Sequence, residues 1–95
     1  MLPSYQPHHP GDFIRQDILE EFAITAQQLA KKLDIPLTQL NQVIDGQQKL
    51  SADLAWRLGK FTQTTPELWM NLQMQLDLWQ AYQQNETELK RIQAF

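Results

Sequence analysis

TAQQLAKKLDIPLTQLNQVIDG, residues 25–46, reads as two short helices joined by a tight turn. Thr25 is a good N-cap, with Gln28 three residues on to complete a capping box. Leu29, Ala30 and Leu33 then form an inner face, leaving Lys31 and Lys32 outward. Asp34-Ile35-Pro36 interrupts the run, because the residue before a proline avoids helical angles. A second helix follows at once with Leu40, Val43 and Ile44 inward, and Asp45-Gly46 ends it. The spacing matches a helix-turn-helix. Ala30 is small enough for the helices to cross closely, Ile35 plugs the turn, and Leu40 and Val43 lock the second helix to a core. Those positions set the angle that decides whether the second helix can enter a major groove. An ordinary helical hairpin has the same apolar spacing, so the pattern alone leaves both readings open.

The polar positions separate them. Thr38, Gln39, Asn41 and Gln42 face outward on the second helix. Gln and Asn can bond adenine bidentately, and Thr can touch a thymine methyl, so these four are the candidate base-reading residues. Lys31 and Lys32 before the helix and Lys49 after it are candidate phosphate contacts, with Gln27 and Gln47 as neutral donors beside them. The competing explanation is a merely solvated face in a Gln-rich chain.

Outward from this segment the chain stays helical. Residues 1–9 hold two prolines and no apolar period, and read as an arm. Pro10 suits a first helical turn, with His9 as a possible cap, and Phe13, Ile14, Ile18, Leu19 and Phe22 predict a helix to about Glu21. After a polar loop, Ser51 caps a fourth helix with Leu54, Ala55, Leu58 and Phe61 inward. Thr65-Pro66-Glu67 starts a fifth, running to about Gln83, and residues 84–95 form a charged tail with a short helix of its own. The expectation is an all-α chain: an arm (1–9), a five-helix domain (10–83, its helix-turn-helix at 25–46) and a tail.

In the fifth helix Trp69, Leu72, Leu76 and Trp79 follow three- and four-residue steps, and Met74 widens the stripe together with Leu68, Met70, Leu78 and Tyr82. One stripe suffices to dock a helix on its own domain. The surplus predicts a two-fold partner, with Trp69, Leu72, Met74, Leu76 and Trp79 as the homodimer interface. Such a dimer would set two recognition helices roughly 34 Å apart, one DNA turn, as a palindromic operator requires.

Composition bounds the alternatives. The chain has 95 residues, enough for one domain, with 42% hydrophobic residues to supply a core. It has no cysteine, which excludes disulfides and thiolate metal sites. No apolar run approaches a membrane span and no signal-peptide pattern appears, so a soluble cytoplasmic protein is expected, without a membrane partner. The net charge of -3 counts against a nucleic-acid binder. The acids, however, gather in the first helix (Asp12, Asp17, Glu20, Glu21) and the tail (Glu86, Glu88), while Lys31, Lys32, Lys49, Arg57 and Lys60 lie between. His8-His9 lacks acid or Cys partners at ligand spacing, the three glycines are scattered rather than gathered in a phosphate loop, and neither serine has a His–acid set. No cofactor, metal or catalytic residue is expected, and enzymatic activity is not.

His9-Pro10-Gly11-Asp12-Phe13-Ile14-Arg15, Leu29-Ala30-Lys31-Lys32-Leu33, Ile44-Asp45-Gly46, Leu50-Ser51-Ala52-Asp53-Leu54-Ala55-Trp56-Arg57-Leu58, Thr65-Pro66-Glu67-Leu68-Trp69-Met70-Asn71-Leu72-Gln73 and Asp77-Leu78 together resemble one family across residues 8–82. The helix-turn-helix is similar to the lambda-repressor-like (XRE) superfamily, and the whole pattern to HigA-type antitoxins, the virulence-associated protein I group. The resemblance implies a five-helix DNA-binding domain that dimerises, represses its own operon at a double-stranded operator, and neutralises a small RelE-like, HigB-type mRNA-cleaving toxin. A stand-alone regulator of the same fold, or a protein-interaction module without DNA binding, are the rival readings. The chain departs from the family in having Leu37-Thr38-Gln39 and Gln47-Gln48-Lys49 where relatives are often basic, and Ala26 where a phosphate-binding Gln is common. Each change removes electrostatic grip, which implies weaker nonspecific binding and greater reliance on the dimer.

Overall fold

Short-range signals fix where each helix begins. In the computed structural model, which describes residues 5–95, His9 is extended (φ -64°, ψ 144°) and its Nδ1 accepts from the Gly11 amide at 2.9 Å. Helix α1 follows, α-helical over Pro10–Phe13 and π-helical over Ile14–Glu20. Thr25 caps α2 (Ala26–Leu33) through a reciprocal pair: its Oγ1 accepts from Gln28 N at 3.1 Å, and Gln28 Oε1 accepts from Thr25 N at 2.9 Å. Helix α3 spans Leu37–Ile44. Ser51 caps α4 (Ala52–Thr62) and Thr65 caps α5 (Pro66–Lys90), each through its hydroxyl. Asp34, Gly46 and Gln63 take left-handed angles where α2, α3 and α4 stop.

These five helices surround one core. Ile14, Ile18, Leu29, Leu40, Ala55 and Leu58 are fully buried, joined by Leu33, Val43, Leu50, Leu54 and Trp69. Ala30 is buried, and Ile35 packs partly against the core from the turn. Gly11 explains the His-Pro-Gly start. A Cβ there would fall 2.2 Å from the Val43 carbonyl oxygen and 2.6 Å from that of Ile44. The first turn of α1 thus lies directly against the end of α3, at a distance only glycine permits.

Two elements differ from the spacing. Helix α1 stops at Glu20, its second half is π-helical, and Phe22 falls outside it, tilted onto Phe61 at 5.6 Å between ring centroids. Ile14 and Ile18, four apart, remain on one face in either helix type, so apolar periodicity does not distinguish them. Helix α5 runs past Gln83 to Lys90, interrupted at Asn85 (φ -121°, ψ 18°), whose Nδ2 donates to the Ala81 carbonyl at 2.8 Å. From Ala81 onward every residue is exposed. Of the expected arm, residues 1–4 lie outside the described residues. Among the described residues, no helix is long and apolar enough to cross a membrane.

Candidate nucleic-acid interface

Helix α3 divides cleanly. Leu40, Val43 and Ile44 are buried, while Thr38, Asn41 and Gln42 are exposed on the opposite side and Gln39 is half-buried at its flank. Among the described residues, none of these four side chains is engaged in a hydrogen bond within the chain. Their donors and acceptors remain available to base edges. The helix is held from behind at its far end. Gly46, at φ 75°, lets the Gln47 and Gln48 amides both donate to the Gln42 carbonyl at 2.8 and 3.1 Å. The Arg15 guanidinium donates to the Ile44 carbonyl at 3.2 Å and lies 3.7 Å from Asp45.

The flanking residues are less uniform. Gln27, Lys31, Lys32 and Gln47 are exposed, and among the described residues Lys31 and Lys32 form no ion pair. Lys49 is exposed too, but its Nζ sits 3.4 Å from the Asp77 carboxylate. Arg57 does not widen the basic face. Its Nη1 donates to the carbonyls of Leu33 at 2.7 Å and Asp34 at 3.2 Å, so it satisfies the end of α2 from α4. His8 and His9 serve different partners, Asp12 and the Gly11 amide, rather than converging.

Four residues that shape this face do so through partners distant in the sequence: Arg15, Arg57, Gln73 and Asp77. Gln73 is a polar residue in the buried stripe of α5, and its Oε1 accepts from Leu50 N at 2.8 Å. Its place on the stripe, three residues before Leu76, was the only hint that it faces inward.

The expected dimer stripe requires correction. Trp69 and Leu76 are 4% and 3% exposed, inside the protomer's own core, and Leu72 packs partly against that core. Trp79 is half-buried, its indole nitrogen covered and without a partner among the described residues. Spacing alone merged two faces of one helix. The exposed face carries Met74, Leu78 and Tyr82 at four-residue steps, with Leu68 at its edge.

Two short helices at this spacing, the first capped by Thr25 and the second with a polar outward face, define a helix-turn-helix domain of the transcription-regulator class. No protein-family model matches the chain. Virulence-associated protein A' of Dichelobacter nodosus is 40% identical over 79 residues, covering 82% of this chain and 68% of that protein. The Pseudomonas aeruginosa antitoxin HigA, solved with the higBA promoter, superposes with a TM-score of 0.88 at 35% identity over 95% of this chain and 99% of that one. A HigA-family addiction module antidote protein from Coxiella burnetii gives 0.89 at 34% identity, over 96% of this chain and 100% of that one. The chain belongs to the HigA-type antitoxin family of helix-turn-helix regulators. That family consists of regulators and antitoxins, not enzymes.

Proposed function

We propose that this protein is a DNA-binding antitoxin that represses its own operon and neutralises a RelE-like toxin of the HigB type. One observation carries the reading: Thr38, Asn41 and Gln42 project from the exposed side of a helix whose other side is locked into the core. A relative 35% identical over nearly its whole length was solved with promoter DNA. Thr38, Gln39, Asn41 and Gln42 would read bases, with Lys31, Lys32, Gln27 and Gln47 on the backbone. The toxin is the partner that an antitoxin of this family implies, and the cytoplasm is where both would act.

A homodimer belongs to the same reading. Helix α5 has its core contacts on one face and Met74, Leu78 and Tyr82 on the other. A second copy covering that face would pair the recognition helices for a palindromic site. A gel shift with the DNA upstream of the coding frame, across a salt series, tests the reading. A discrete complex that a small co-expressed toxin joins or releases is expected. Absence of any complex at low salt would reject it.

A further inference from the structure

Asp77 lies on α5, yet it reaches the loop that follows the recognition helix. Its Oδ1 accepts from Gln73 Nε2 at 2.9 Å and lies 3.4 Å from Lys49 Nζ. Gln73 is 4% exposed, and its amide orientation is fixed from the other side. Its oxygen accepts from the buried Leu50 amide at 2.8 Å, so its nitrogen must face an acceptor, and that acceptor is Asp77. The buried Leu50–Gln73 hydrogen bond thus orients a part-buried Gln73–Asp77 bond that holds one carboxylate against Lys49, in the loop after α3. The Asp77 side chain is 36% exposed and that of Lys49 is 73% exposed, so the pair sits at the surface, where an anion from solution can compete for the lysine.

We propose that Asp77 is an internal phosphate mimic, a positioning residue that holds Lys49 back from the DNA backbone and so lowers sequence-independent affinity. The inference rests on the DNA-binding reading. A lysine already paired with an internal carboxylate gains little by exchanging it for a phosphate, and its transfer leaves Asp77 unpaired. Discrimination then falls more heavily on the outward side chains of α3. Lys49, read from the sequence as an ordinary phosphate contact, is thereby held in reserve.

The test uses Asp77→Asn, which keeps an oxygen to accept from Gln73 and removes only the charge. Binding to the upstream DNA and to a shuffled duplex is measured across a salt series, with Lys49→Ala and the double variant alongside. Asp77→Asn should bind both duplexes about two- to fivefold more tightly, the range of an exposed ion pair. Its log affinity against log salt should steepen by about 0.9, one added phosphate contact. Lys49→Ala alone should change the slope little, and in the double variant it should abolish the gain. An Asp77→Asn slope equal to the parent's, or a gain that persists without Lys49, overturns the proposal while leaving DNA binding intact. A parent chain that binds neither duplex at low salt removes both readings. Thermal unfolding of Asp77→Asn within a few degrees of the parent shows that the change is electrostatic rather than structural.

Discussion

Helices α3 and α5 both dock on the same core, and they differ in what they leave outside. Helix α3 buries one apolar stripe and turns Thr38, Asn41 and Gln42 to solvent. Helix α5 buries Trp69, Gln73 and Leu76 and turns Met74, Leu78 and Tyr82 to solvent. A polar outer face with unused donors and acceptors fits a ligand read through hydrogen bonds. An apolar outer face fits another protein surface. One short domain therefore offers two kinds of surface, and Gln73 ties α5 to the loop after α3 through the Leu50 amide.

The largest effect that would probe this contrast lies within α5 itself. Leu76→Asp places a carboxylate in the core and should cost at least about 3 kcal/mol, enough to prevent folding of so small a domain. Leu78→Asp, two residues on and 54% exposed, should leave the thermal midpoint nearly unchanged and, for the proposed homodimer, halve the mass on size exclusion. Equal unfolding by both would erase the distinction between the two faces. A smaller effect belongs to the support of α3. Gly11→Ala forces a methyl against the Val43 and Ile44 carbonyls and should destabilise by about 1–3 kcal/mol in thermal or urea unfolding. The smallest concerns α2: Lys31→Ala should weaken cognate and shuffled DNA alike and flatten the salt slope by about 0.9.

What the sequence disclosed follows from how local each interaction is. Thr25, Ser51 and Thr65 cap helices whose amides lie three residues away, so their roles were legible. Pro10, Pro66 and Gly46 act through their own backbone angles and were equally plain. Thr38, Asn41 and Gln42 follow from helical period once the inward face is known. The rest depends on distant partners. Arg15 meets Ile44, Arg57 meets Leu33, and Gln73 meets Leu50 across separations of 29, 24 and 23 residues, which no short-range pattern encodes. Nor does spacing say which of two apolar faces on α5 turns inward. Spacing alone thus puts Trp69 and Leu76 in an interface, whereas they belong to the core.

Gln42→Ala most directly tests whether the outward face of α3 reads bases. Measured by fluorescence anisotropy at fixed salt, the variant should lose about 1–3 kcal/mol on its own upstream DNA and almost nothing on a shuffled duplex. Equal losses on both, or no loss on either, would contradict the account.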